Sequence, residues 1–172
     1  MAVAVVIGLG SNLGQRLESM HRAVELLGER VELQSAAAIY ETAPMYVTDQ
    51  PAFLNSAVRA RSELGPLALL RALKDVEARI GRRPAERFGP REIDLDLILF
   101  GELQYRFWSG SQALLQVPHP GLKERRFVLQ PLADLGIERL PGLGQLADLL
   151  AATEAQAAHV IRMENAELPI HC

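Results

Sequence analysis

The run Asp94-Leu95-Asp96-Leu97-Ile98-Leu99-Phe100 leaves little choice of backbone conformation. It is apolar except for two carboxylates one residue apart, and on a strand successive side chains alternate between faces. Asp94 and Asp96 therefore converge on one face, while Leu95, Leu97 and Leu99 are expected in the core on the other. Two neighbouring anions repel unless a cation joins them, and Mg²⁺ is commonly held by one or two carboxylates plus substrate phosphates. Just upstream, Arg82, Arg83, Arg87 and Arg91 supply fork-shaped donors suited to phosphate oxygens. Gly89-Pro90 fixes a turn between these arginines and the strand. The stretch predicts a magnesium-nucleotide site. A bare D-x-D is more often a solvated edge neutralised by nearby arginines, and the turn that holds both groups in a defined relation argues against that reading.

The remaining composition is permissive. At 172 residues the chain can bury a proper core, and one domain spanning 1–172 is the natural expectation. With 49% hydrophobic and 23% charged residues it belongs among globular proteins. The apolar start, Val3 to Leu9, is too short to span a bilayer and lacks a basic flank, so a cytoplasmic protein without a membrane span is expected. Cys172 is the single cysteine, which excludes an internal disulfide framework and a multi-cysteine zinc site. A net charge of −3 gives no reason to expect nucleic acid, and the local arginine cluster is accounted for by one triphosphate.

Periodicity orders the elements. Val3–Leu9 reads as a buried strand ending in a Gly-Ser-Asn-Leu-Gly turn, and helical spacing of Leu17, Met20, Ala23, Val24 and Leu27 predicts a helix from about Leu13 to Gly28. Val31 to Tyr40 and Phe53 to Leu64 read as strands, joined by a Glu41–Ala52 loop long enough to wall a pocket. Gly65-Pro66 opens a helix to about Ile80 with a stripe through Leu69, Leu70, Leu73, Val76 and Ile80. The order β-α-β-β-α-β predicts an α+β fold, a ferredoxin-like split βαβ sandwich with helices on one face of an antiparallel sheet. Beyond it, Phe107–Ser111 is expected in a loop, Leu122 to Leu135 and Leu146 to Ala152 in helices, and residues 150–172 in a loosely packed tail.

Arg87-Phe88-Gly89-Pro90-Arg91-Glu92-Ile93-Asp94-Leu95-Asp96 closely resembles the signature of the 6-hydroxymethyl-7,8-dihydropterin pyrophosphokinase family of folate biosynthesis. Gly10-Ser11-Asn12-Leu13-Gly14, Tyr40-Glu41-Thr42-Ala43-Pro44, Asp49-Gln50-Pro51 with Phe53-Leu54-Asn55, and Val117-Pro118-His119-Pro120 with Arg125 and Phe127-Val128-Leu129 resemble further family segments in the same order. The resemblance spans about residues 3 to 135. It implies transfer of the β,γ-pyrophosphoryl unit of ATP to the hydroxymethyl group of the pterin, with ATP as co-substrate and two Mg²⁺ ions on Asp94 and Asp96. Arg82 and Arg91 match the catalytic arginines. Lys74, Glu77, Arg83, Arg87, Ile98, His119 and Arg125 are implied on the ATP side. Thr42, Ala43, Pro44, Met45, Phe53, Asn55, Phe88 and Phe127 are implied in the pterin pocket.

The chemistry of those residue types is coherent with the implied roles. A flat bicyclic heteroaromatic is best held between two aromatic faces, here Phe53 and Phe127, with its edge read by an amide such as Asn55. A neutral His119 between two prolines can donate to a phosphate. The sequence departs from the family pattern at Phe88, where tryptophan is common, at Lys74 in place of the more familiar glutamine, at Tyr46, and at Pro84, which follows Gly81-Arg82-Arg83 where a second arginine usually comes. These departures motivate a competing reading, a catalytically weakened pterin- or nucleotide-binding paralogue with a regulatory role. An RNA-binding module of similar topology is disfavoured by the acidic net charge and the missing RNP-type aromatics. The expected partners are small-molecule substrates, and the expected state is a monomer.

Overall fold

Branched apolar residues make β1 (Val3–Ser11) a strand buried on both faces, and it pairs antiparallel with β4 (Phe53–Ser62) on one side and β5 (Asp94–Phe100) on the other. The structure, a computed structural model, describes residues 1–82 and 89–170. Between these strands come α1 (Arg16–Gly28), β2 (Glu32–Ala36), β3 (Tyr40–Thr42) and α2 (Pro66–Ile80). After β5 follow β6 (Tyr105–Ser109), β7 (Gln112–Val117), α3 (Arg126–Asp134), β8 (Arg139–Leu140), β9 (Gly144–Gln145), α4 (Leu146–Ala152) and β10 (Val160–Arg162). The main sheet runs β10-β3-β4-β1-β5, and β2 pairs with the far end of β4. All its pairings are antiparallel, as the α+β expectation required.

Two hydrophobic clusters sandwich the sheet. On one face α1 and α2 set Met20, Val24, Leu27, Leu69, Leu73 and Val76 against Val5, Ile7, Leu9, Leu54, Leu95 and Leu97. On the other, α3 and α4 set Leu129, Leu132 and Leu146 against Val6, Ala57, Ile98 and Leu99. Helices thus cover both faces, rather than one. The second layer comes from the C-terminal third, where periodicity did not say which face its short helices would choose.

Several local expectations change with tertiary context. Leu99 joins the second cluster, not the face of Leu95 and Leu97, because a bulge lets Val6 face Leu99 and Ile7 face Leu97, leaving Ile98 unpaired. The single strand expected over Val31–Tyr40 is two, since Ala36 faces Val58 and Tyr40 faces Asn55, so one residue too many separates them. Phe107–Ser111 is not a loop: Phe107, Trp108 and Ser109 end β6, and the two-residue turn Gly110-Ser111 leads into β7, with Gly110 at φ 57°. The helix expected over Leu122–Leu135 is broken by an extended Arg125, φ −120° and ψ 91°, between a 3₁₀ turn at Leu122–Glu124 and α3. Nor are residues 150–170 loose. β10 extends the sheet, Ala166 and Leu168 are buried in the first cluster, and His21 Nε2 meets the Glu167 carbonyl at 2.8 Å.

Candidate functional site

The site is laid out by strand register. Asn55 of β4 faces Gly10 of β1, which faces Asp94 of β5; one step along, Ala57 faces Gly8, which faces Asp96. Two rows therefore cross the sheet from an amide side to a carboxylate side, with a glycine at the middle of each. A Cβ on Gly10 would stand 3.0 Å from Asn55 Oδ1, and one on Gly8 would stand 3.2 Å from Ile98 Cδ1. Glycine in a strand marks a place where something must approach the backbone closely. Above this floor, bordered by Phe127 and Val128 of α3, lies a cavity of about 440 Å³. That volume suits a small organic ligand.

At the carboxylate end the charges are dense and ordered. Arg82 Nη1 donates to Asp94 Oδ1 at 2.7 Å, and Arg91 Nη1 donates to Asp94 Oδ2 at 2.9 Å. Glu77, 3% exposed, accepts from the Leu95 backbone N–H at 2.7 Å and from Lys74 Nζ at 2.9 Å, and pairs with Arg82 at 2.7 Å. Burial works against the Arg82 charge, but Asp94 and Glu77 outweigh it and raise its pKa. Asp96 has no ion pair among the described residues. Burial and then the adjacent Asp94 anion push its pKa up to about 7, with Lys74 pulling the other way. Asp94 is compensated by arginine, whereas Asp96 is a half-buried carboxylate that a cation would stabilise.

The residues present fit Mg²⁺. Two hard oxygen donors share one strand face beside the arginines, and among the described residues no group of three His, Cys, Asp or Glu side chains forms a closed cage. Two carboxylates completed by phosphate oxygens and water match the way this ion is ordinarily bound.

His119 borders the same end. The Gly121 backbone N–H donates to its Nδ1 at 3.2 Å, so the neutral ring carries its proton on Nε2. Burial, reinforced by Arg125, lowers its pKa to about 4, which keeps the ring a neutral donor. Its backbone N–H is anchored to the Ile98 carbonyl at 3.0 Å.

The amide end is built from β3, β4, the loop between them and the start of α3. Asn55 Nδ2 donates to Thr42 Oγ1 at 2.6 Å, leaving its oxygen and second N–H for a ligand edge. Phe53 and Phe127 both line the cavity, one at the start of β4 and the other in the first turn of α3. Asn12, 1% exposed, braces the two ends: its Nδ2 donates to Gln50 Oε1 at 2.9 Å and to the Pro51 carbonyl at 3.0 Å, while its Oδ1 accepts from the Arg91 N–H at 2.9 Å.

Of the residues singled out from sequence, Thr42, Ala43, Met45, Phe53, Asn55, Lys74, Arg82, Arg91, Asp94, Asp96, Ile98, His119, Arg125 and Phe127 line this one cavity. Pro44 and Glu77 do not. Glu77 is spent on internal partners, so its place is beneath the site. Arg83, Arg87 and Phe88, with Pro84, lie outside the described residues. Gly8, Gly10, Tyr46, Gln50 and Ser56 also line it and were not among the expected site residues, although Gly10 and Gln50 lie in the family segments and Tyr46 in the loop expected to wall a pocket. The Gly-Leu-Gly at the end of an apolar strand was the available signal for the floor.

Comparisons with known proteins bear on the family and the fold. The family model for 7,8-dihydro-6-hydroxymethylpterin-pyrophosphokinase matches residues 6–137. The mitochondrial folate synthesis bifunctional protein of Pisum sativum is 49% identical over 132 residues, which are 76% of this chain but 25% of that protein. The chain thus spans about a quarter of the length of this plant relative. The 2-amino-4-hydroxy-6-hydroxymethyldihydropteridine pyrophosphokinase of Pseudomonas aeruginosa is 39% identical over 155 residues, 88% of this chain and 93% of that protein. Among solved structures, a Plasmodium falciparum HPPK-DHPS triple mutant superposes with a TM-score of 0.72 at 13% identity, over 94% of this chain and 47% of that one, which speaks for the fold alone.

Proposed function

Because this chain belongs to the 7,8-dihydro-6-hydroxymethylpterin-pyrophosphokinase family, we propose that it transfers the β,γ-pyrophosphoryl unit of ATP to the hydroxymethyl group of 6-hydroxymethyl-7,8-dihydropterin, releasing AMP, as a step of folate biosynthesis. The observation that carries the reading is the two-ended cavity. Its amide end, with Phe53, Phe127, Asn55 and Thr42, suits a flat heterocycle with a hydrogen-bonding edge, and its other end sets Lys74, Arg82, Arg91, Arg125 and His119 around Asp94 and Asp96. Gly8 and Gly10 leave the floor between them open.

The chain's own residues bind and orient both substrates. Asn55 and the two phenylalanines orient the pterin so that its hydroxymethyl oxygen meets the β-phosphorus in line. Arg82 and Arg91 exchange Asp94 for phosphate oxygens as the triphosphate enters, which releases the Asp94 carboxylate for a metal. His119 Nε2–H and the Arg125 guanidinium donate to phosphate oxygens. Asp94 and Asp96 would hold two Mg²⁺ ions, which would supply positive charge to the phosphate oxygens. No covalent intermediate is formed on the protein, and a monomer suffices. Among the described residues no helix is long and apolar enough to cross a membrane. Incubation of the purified chain with ATP, Mg²⁺ and 6-hydroxymethyl-7,8-dihydropterin should give AMP and the pterin diphosphate in equal amounts; ADP in place of AMP rejects pyrophosphoryl transfer, and no turnover rejects it in favour of the non-catalytic binding paralogue.

A further inference from the structure

Arg125 and Tyr46 meet across the mouth of the cavity, from two segments far apart in the chain. Arg125 Nε donates to Tyr46 Oη at 3.1 Å, and the guanidinium carbon lies 5.3 Å from the centre of the Tyr46 ring. The other side of the guanidinium rests on the backbone at Gly121, where a Cβ would come within 2.6 Å of Arg125 Nε and Cζ. The arginine is thus caught between a ring and a bare peptide. Both Tyr46 and Arg125 line the cavity, together with His119 and Asp96.

This arrangement has a chemical consequence. A guanidinium carries five N–H donors, and committing Nε to Tyr46 leaves the two terminal amino groups as a planar fork for an oxyanion. A long side chain otherwise loses rotamer freedom when it grips a ligand, a cost that falls if the side chain is already held. The ring that holds it sits two residues beyond Pro44, on the same loop as Ala43 and Met45, which line the opposite end of the cavity.

We propose that Tyr46 is a positioning residue for Arg125, holding its guanidinium ready for the ATP phosphates and so linking the conformation of the pterin-side loop to ATP affinity. The proposal rests on the reading of Arg125 as a phosphate donor. On this reading, ordering the 43–52 loop with the pterin improves the hold on the group that grips the nucleotide.

The test is a double-mutant cycle of Tyr46→Ala and Arg125→Ala, read by calorimetric binding of α,β-methylene-ATP with Mg²⁺, with and without 6-hydroxymethylpterin. Tyr46 is 46% exposed, so its removal leaves the core alone, and Tyr46→Phe provides a milder variant that keeps the ring. With Arg125 present, Tyr46→Ala should weaken nucleotide binding by about 5- to 20-fold and Tyr46→Phe by about 2- to 4-fold, in line with losing a cation–π contact and a charge-assisted hydrogen bond or the latter alone. In steady state the change should fall on KM for ATP, with kcat within about twofold. In the Arg125→Ala background the effect of Tyr46→Ala should vanish, and the gain in nucleotide affinity on adding the pterin should shrink in either single variant. Equal losses in both backgrounds would overturn the proposal, as would tighter nucleotide binding in Tyr46→Ala, which would make the contact a latch that withholds Arg125. An unaltered affinity in Arg125→Ala alone would instead remove Arg125 from the ATP side, and the positioning role with it. Failure of the parent protein to form AMP would reject the reaction, whereas the cycle would still measure the Tyr46–Arg125 coupling.

Discussion

Asp94 and Asp96 are neighbours on one strand face with opposite circumstances. Asp94 is neutralised by two arginines, and Asp96 waits for a cation. Asp96→Ala should lower kcat by orders of magnitude at saturating Mg²⁺ while the fold persists; near-parental turnover would remove Asp96 from the metal site. Its raised pKa also sets a sign. A carboxyl that titrates near 7 when folded and near 3.8 when unfolded stabilises the folded state below about 3.8, and that contribution is lost as pH rises through 7. His119 runs the other way: folded near 4 against about 6.5 unfolded, its contribution is present above 6.5 and lost as pH falls toward 4. Between pH 4 and 6.5 the two slopes oppose each other. Asp96→Asn should therefore expose the histidine slope, with the metal-free variant losing stability as pH falls, and at pH 8 it should be more stable than the parent by roughly 1–3 kcal/mol. Denaturant titrations of the metal-free proteins at several pH values check both signs. For the arginines, Arg82→Ala and Arg91→Ala should slow single-turnover chemistry more than they weaken ATP binding, because their charge is most needed in the transition state. Weak binding with normal chemistry at saturation would make them binding groups only.

At the scale of elements, the site depends on three adjacent strands in one register and on two irregularities. Strand alternation sets Asp94, Asp96 and Ile98 along the cavity, and the bulge at Ile98 then puts Leu99 into the second core cluster and Phe100 into the first. The break at Arg125 places that side chain at the cavity rim, where a continuous helix would have carried it past. The glycine floor offers a clean test. Gly8→Ala and Gly10→Ala put a methyl group into tight contact with Ile98 and with Asn55 Oδ1 respectively. A strand tolerates alanine, so thermal stability should change little, while pterin affinity should fall about tenfold or more in Gly10→Ala through displacement of the Asn55 amide. Unchanged affinity with a lower Tm would mean that the glycines serve packing alone.

Across the whole molecule, the C-terminal segment closes the sheet. β10 pairs with β3, which carries Tyr40 and Thr42, and Leu168 is 7% exposed among the first core cluster. Leu168→Ala should cost about 2–4 kcal/mol by loss of buried contacts. Deletion of residues 160–172 should cost more and should also loosen the pterin side, because β3 loses its outer neighbour at the strand that supplies Thr42 to Asn55. Differential scanning calorimetry and pterin titration of the truncated chain check this, and an unchanged Tm would mean that the tail adds nothing to the sheet.

What could be read from the sequence was local or periodic. The two-residue repeat placed Asp94 and Asp96 together, the helical stripe located α2 from Pro66 to Ile80, a short helix was expected at Leu146 to Ala152 where α4 lies, and the ordered segments carried the family. These follow from short-range geometry, which a linear chain displays directly. Tertiary structure alone decided the rest. Whether Leu99 followed Leu97 depended on the partner register of β1, and whether Phe107–Ser109 paired depended on β7 arriving beside it. That Glu77 would bind the Leu95 N–H and Arg82 rather than a ligand required α2 to lie against β5. The contact between Tyr46 and Arg125 joins residues 79 positions apart, and no period or spacing encodes a pairing of that range. Which side chains meet across such distances is set by how the layers pack.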